Sequence, residues 1–134
     1  MAESKVLIRK AQEAAQYSHS PFSHFAVGAA VLTADGEIFQ GCNIESSSYG
    51  LTVCAERNAI ASAVVNGHKE FKALAVFSEN GALPCGACRQ VIWDICGDIP
   101  IYVADREGEL RQHRSSELLP IPFDDRVLKG AQKG

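Results

Sequence analysis

Phe25-Ala-Val-Gly-Ala-Ala-Val-Leu32, then Thr33-Ala-Asp-Gly36, then Glu37-Ile-Phe-Gln-Gly-Cys-Asn-Ile44, is the stretch that decides the fold. The first segment is short, uncharged and nearly continuous in apolar residues, which marks a strand covered on both faces rather than a half-wet one. Ala34-Asp-Gly36 is a hairpin turn, so Glu37 to Ile44 returns beside the first strand. Upstream, Val6, Leu7, Ala11, Ala14 and Ala15 recur at helical spacing between Ser4 and about Ser18, before a Ser-His-Ser-Pro break. Downstream, Cys54 to about Val65 carries Ala55, Ala59, Ile60, Ala63 and Val64 on one stripe and ends well at Asn66-Gly67. Phe71–Phe77 is a strand, Gly86–Cys96 a helix stopped by Gly97, and Ile99–Val103 another strand. A turn over 105–108 leads to a weaker strand near Leu110, and Ser115–Leu119 is a helical turn before Pro120 and Pro122. A hairpin followed by strand, helix, strand, helix and strand predicts a mixed five-stranded sheet with helices on both faces, a three-layer α/β/α sandwich. Residues 1–134 form a single domain in this reading, with the end at 130–134 expected to fray.

Composition narrows the class. The chain has 134 residues, 46% hydrophobic and 22% charged, which is ordinary for a globular domain. A net charge of -3 and a pI near 5.8 argue against nucleic acid as a partner, since a phosphate-backbone binder needs a basic face. No apolar run approaches the ~20 residues that span a bilayer, and no secretory or lipidation signal is visible, so no membrane partner and a cytoplasmic location are expected. Five cysteines are an odd number. In a reducing compartment they read as metal ligands or redox groups before disulfides.

Pro84-Cys-Gly-Ala-Cys-Arg-Gln90 places Cys85 and Cys88 two residues apart at the start of a helix, where they face one side and can grip one ion. Thr52-Val-Cys-Ala-Glu-Arg57 puts Cys54 at the start of another. Two helix N-termini aimed at one point favour thiolates there. Three thiolates suit zinc in tetrahedral geometry and leave its fourth position open. Cys96 lies eight positions beyond Cys88, about 12 Å along a helix, too far to close the site. Cys42 and Cys96 are read as small core residues, and histidines 19, 24, 68 and 113 receive no role. Glu56 follows Cys54 by two; in a helix interior the two would diverge, but at a first turn both can address a ligand lying off the helix end. Glu56 is therefore the proton carrier. Arg57 falls on the cysteine's own side, where donation to sulfur would withdraw surplus negative charge from a three-thiolate ion.

With these motifs in place, the chain resembles the small cytidine deaminase family from Tyr17 through Phe123. C-A-E-R at 54–57 and P-C-G-A-C-R-Q at 84–90 match its zinc signature in three-cysteine form, a pattern in which a glutamate is the general acid and base. F-A-V-G-A-A at 25–30 and G-C-N-I-E at 41–45 match its sugar-side motifs, and Leu118-Leu119-Pro120 with Phe123 is similar to its C-terminal element. The resemblance implies one Zn2+ per subunit on Cys54, Cys85 and Cys88, with Glu56 catalytic and Arg57 behind the ligands. It implies that Asn43 and Glu45 hold the ribose, chiefly at the 3′-hydroxyl, that Phe25 lines the base pocket, and that Ala55 meets the exocyclic groups. It further implies a homotetramer with shared pockets, Phe123 stacking on a neighbour's pyrimidine and Ser47 and Tyr49 approaching another sugar's 5′ end. Ile121-Pro122 and Ser46-Ser47 depart from the family's usual residues at those two places.

The implied activity is hydrolysis of cytidine and deoxycytidine to uridine and deoxyuridine with release of ammonia, a step of pyrimidine salvage on a small-molecule nucleoside. Three other readings stay open at the level of sequence. One is a deaminase of a cytosine-nucleoside antibiotic or of a base in nucleic acid. The second is a non-enzymatic zinc-stabilised module, and the third is a redox protein using Cys85 and Cys88.

Overall fold

The computed structural model describes residues 2–133, with side chains from 3 to 129. Helix α1 (Ala2–Ala15) leads into β1 (Val27–Thr33) and β2 (Ile38–Cys42). A single 3-10 turn, Tyr49–Leu51, precedes α2 (Ala55–Val65), which is followed by β3 (Phe71–Ser78), α3 (Gly86–Cys96), β4 (Pro100–Ala104) and β5 (Leu110–Arg114). Two further helices, α4 (Ser115–Leu118) and α5 (Asp125–Lys133), complete the chain. The sheet order is β2-β1-β3-β4-β5. Only the β3–β4 pair is parallel. Its connection is α3, the crossover that a parallel pair requires.

Period-two alternation explains why β1 reads as unbroken apolar sequence. Ala29 and Val31 join Leu74, Val76, Ile101 and Val103 on one face, packed with Ala55, Ala59, Ile60 and Ala63 of α2 and Ile92 of α3. Ala30 and Leu32 join Ala73, Ala75 and Tyr102 on the other, against Leu7 and Ala11 of α1. Both faces are covered, giving the three-layer α/β/α sandwich. Two glycines set the spacing between layers. A Cβ at Gly28 would collide with the backbone of Ala11, and one at Gly41 with the backbone of Ala55 and Ala59. Small residues on sheet and helix alike let α1 and α2 lie close.

The structure departs from the sequence reading in four places. Helix α1 stops at Ala15, three residues early, because the segment from His19 pairs with Asn43–Glu45 instead. Strand β2 ends at Cys42, and Ile44 continues only as isolated bridges to His19 and Val53. Cys42 is half-buried and outside both apolar clusters, with Sγ 3.4 Å from the Tyr17 carbonyl oxygen. Helix α5 was not expected at all. The expected fraying concerns 130–134, whose side chains, with the whole of residue 134, lie outside the described residues. His68 also finds a place: its Nδ1 is 3.4 Å from Asp35 and its Nε2 2.7 Å from Glu37, so the ring staples the β1–β2 hairpin to the loop after α2.

Candidate active site

The local sequence gives up ordinary helix capping to build this site. Cys54 and Cys85 occupy the N-cap positions of α2 and α3, and neither side chain caps its helix. Ser, Thr, Asp or Asn would normally stand there and bond a free backbone N–H. Sulfur in their place leaves both helix ends aimed at a shared point. Cys88, one turn into α3, is fully buried beside them. The sulfurs of Cys54, Cys85 and Cys88 lie within 4.8 Å of one another, with Cys54 and Cys85 3.8 Å apart. Three thiol ligands on two helix starts fit one Zn2+, whose soft-ligand tetrahedral preference leaves the remaining position to solvent or substrate.

Arg57 Nη2 donates to Cys54 Sγ at 3.3 Å, while its Nε is buried without a partner. A guanidinium committed to sulfur is the contact expected where thiolate charge must be offset. The Cys88 thiol and Arg57, both bonding to the Cys54 sulfur, hold Cys54 well below the ordinary thiol range. The same contact with Cys54, reinforced by burial and by the Glu56 charge, drives Cys88 upward.

Glu56 is 4% exposed and on the first turn of α2. Burial, with the neighbouring Cys54 charge, pushes its carboxyl up to about 7. A cavity of about 240 Å³ gathers Cys54, Cys85, Glu56 and Ala55 with Phe25, Asn43 and Glu45, and its apolar wall adds Val27, Val76 and Leu83. Residues from four separate sequence motifs thus meet in one hollow.

The sugar-side pair is held tightly. Asn43 Oδ1 accepts from Val27 N at 3.0 Å and from Ser18 Oγ at 2.5 Å, and Asn43 Nδ2 donates to Phe25 O at 2.8 Å. Glu45 Oε1 accepts from the backbone N–H groups of Phe22 at 3.0 Å and Ser23 at 3.1 Å, and Oε2 accepts from Ser23 Oγ. The Ser23 hydroxyl, aided by those two amides, holds the Glu45 carboxyl below its usual range. Asn58 Nδ2, on α2, donates to Cys42 O at 2.8 Å and so ties the helix of the cysteine site to the end of β2.

The other expected residues lie elsewhere in the protomer. Ser47 is exposed on its loop. Tyr49 lines an adjoining depression with Phe22, Ser23, Glu45, Ser46 and Thr52. Phe123 lines a separate cavity with Trp93, Asp94, Asp124, Asp125 and Leu128. Sequence spacing gave no sign of Ser18, Ser23 or Leu83, because their partners come from distant parts of the chain.

An α/β/α domain with cysteine N-caps on two helices and a buried glutamate beside them defines the class: a zinc-binding α/β protein with a carboxyl next to the metal ligands. Residues 1–103 match the cytidine and deoxycytidylate deaminase zinc-binding region. The chain is 44% identical over 128 residues to a cytidine deaminase of Sporosarcina psychrophila, covering 93% of this chain and 94% of that one. It is 41% identical over 124 residues to a cytidine deaminase of Halalkalibacterium halodurans, covering 90% and 94%. The crystal structure of cytidine deaminase from Burkholderia pseudomallei superposes with a TM-score of 0.87 at 40% identity, covering 89% of this chain and 98% of that one. The chain belongs to the cytidine deaminase family.

Proposed function

We propose that this protein hydrolyses cytidine and deoxycytidine to uridine and deoxyuridine with release of ammonia, acting in cytoplasmic pyrimidine salvage. The observation that carries this is a single cavity holding the cysteine site, a buried carboxyl and a sugar-sized polar pair. Cys54, Cys85 and Cys88 would hold a zinc ion, and the chemistry it would supply is a water made acidic enough to attack near neutral pH. Glu56, buried in the same cavity, would take a proton from the attacking water and hand it to N3 of the cytosine ring, which makes C4 electrophilic. Glu56 then carries the second proton to the exocyclic nitrogen, and ammonia leaves. Arg57 holds the Cys54 sulfur and offsets ligand charge.

The sugar end is accounted for by counting polar atoms. Asn43 has both oxygen lone pairs and one amide hydrogen engaged inside the protein, which leaves one N–H. Glu45 has three of roughly four lone-pair positions engaged, which leaves about one. One donor and one acceptor match one hydroxyl, the 3′-hydroxyl of the family's substrates, and make no demand on the 2′ position. Phe25 supplies an aromatic wall for the base, with Ala55 beneath the exocyclic groups.

The protein works as a homotetramer in this reading. Phe123 lines a cavity separate from the one holding Glu56, which supports a role for it in another subunit's pocket rather than its own. Tyr49 and Ser47 would act across subunits in the same way. The test is ammonia release from cytidine and deoxycytidine, followed also as loss of ultraviolet absorbance, with metal analysis of the same sample. Turnover of both with one zinc per chain is expected. Zinc-loaded protein that leaves both untouched would overturn the reading.

A further inference from the structure

We propose that Ser23 is a positioning residue for sugar recognition: it fixes the Glu45 carboxylate so that the remaining acceptor of Glu45 and the free N–H of Asn43 address one hydroxyl. This rests on the reading above, in which Asn43 and Glu45 take the sugar.

The loop that carries Ser23 is shaped for that contact. His24 has φ +57°, the sole non-glycine residue with positive φ among those described. Such a conformation is costly for a residue with a Cβ and persists only where the surroundings impose it. Here His24 N donates to Ser20 O at 3.0 Å, closing a tight turn over 20–24. The turn makes Phe22 N, Ser23 N and Ser23 Oγ converge on the one carboxylate. Ser23 Oγ in turn accepts from Phe25 N at 3.1 Å, so its single hydrogen is free to point only at Glu45. Phe25 and Glu45 both line the cavity, and Ser23 reaches its edge. The hydroxyl therefore links the aromatic wall to the sugar end.

A carboxylate on three carbon–carbon bonds and half open to solvent would otherwise sample many rotamers. Two backbone amides restrain Oε1 alone. The Ser23 hydroxyl restrains Oε2, which sets the rotation of the carboxylate plane and hence where its last lone pair points. For Asn43 the Val27 N–H, which can only donate, and the Phe25 carbonyl, which can only accept, fix which end of the amide is the donor.

The experiment compares kcat/KM for cytidine and 3′-deoxycytidine in wild type, Ser23→Ala and Ser23→Thr, with zinc content measured for each. Wild type should favour cytidine. In Ser23→Ala, kcat/KM for cytidine should fall about tenfold, the scale of one hydrogen bond to a charged group, while 3′-deoxycytidine changes by no more than about twofold. Ser23→Thr keeps the hydroxyl and should restore the preference. A Ser23→Ala variant that slows both nucleosides equally, or neither, overturns the proposal and leaves the deaminase reading standing. A wild type that turns over both nucleosides alike removes the sugar role of Asn43 and Glu45 and this proposal with it. Absence of turnover on either nucleoside removes the deaminase reading itself.

Discussion

At the scale of single residues, the proposed reaction separates holding a metal from moving a proton. Glu56 is buried in the cavity yet is not among the clustered ligands, so Glu56→Gln should keep zinc while kcat falls by about 10² or more. Metal analysis beside an ammonia assay checks this, and full activity in the variant would remove its proton role. Arg57 acts through sulfur. Arg57→Ala should retain zinc and lose roughly 10- to 100-fold in activity, the usual cost of removing a group that supports a metal ligand. A wild-type rate at neutral pH would show that the guanidinium has no part in offsetting charge. The places of Cys54, Cys85, Glu56 and Arg57 at two helix starts were legible in the sequence, because local spacing and stop signals reveal where a helix begins and ends. Ser18 and Ser23 were not: their partners Asn43 and Glu45 lie on a segment that only the tertiary fold brings alongside. No periodicity encodes such a contact.

At the scale of elements, the chemistry depends on how closely α2 lies against β2. Gly41→Ala would drive a methyl group into the α2 backbone at Ala55 and Ala59, immediately after Cys54. The expected cost is about 1–3 kcal/mol of stability, together with a fall in kcat of the folded protein, because the helix start carrying Glu56 must move. Gly36→Ala is the contrasting variant. Its φ of +93° makes a side chain strained, but open space surrounds it and the site is remote. It should lower Tm while leaving kcat unchanged, and equal effects of the two variants on kcat would refute the linkage. The strands and the helices α2 and α3 followed from periodicity and capping. Helix α5 did not, since its start depends on Asp124, whose carboxylate accepts from Trp93 Nε1 at 3.0 Å and pairs with Arg126 at 2.7 Å. The Arg126 and Trp93 contacts hold this carboxyl well below the usual range. A lowered folded-state pKa gives stability that is complete above the unfolded value of about 4 and disappears as pH falls through the folded one. The Tm gap between wild type and Asp124→Asn should therefore be widest near neutrality and shrink on acidification below about pH 4. A gap that stays constant with pH would mean that the charge contributes nothing.

At the scale of the whole molecule, the layers bury a core on each face of the central strands but leave large side chains in water where the loops meet. Tyr49 is 77% exposed, Leu51 70% and Ile121 92%, with Tyr17, Phe22 and Phe123 also outside the core. Exposed apolar surface of this kind is what neighbouring subunits would cover. Sequence pattern alone could not show it, because an apolar residue in a loop reads the same whether it packs inside its own chain or against a second copy. Sedimentation should give a species of four 14.4 kDa chains. Subunit mixing then asks whether the pockets are shared. Phe123→Ala should raise KM for cytidine with Glu56 intact, and Glu56→Gln should be nearly inactive with Phe123 intact. In a tetramer mixed from the two, a Phe123→Ala subunit next to a Glu56→Gln subunit receives a native Phe123 from its neighbour. A fraction of sites should then show the wild-type KM, which neither parent displays. Mixed tetramers whose kinetics are only the weighted sum of the parents would place Phe123 outside every neighbour's pocket.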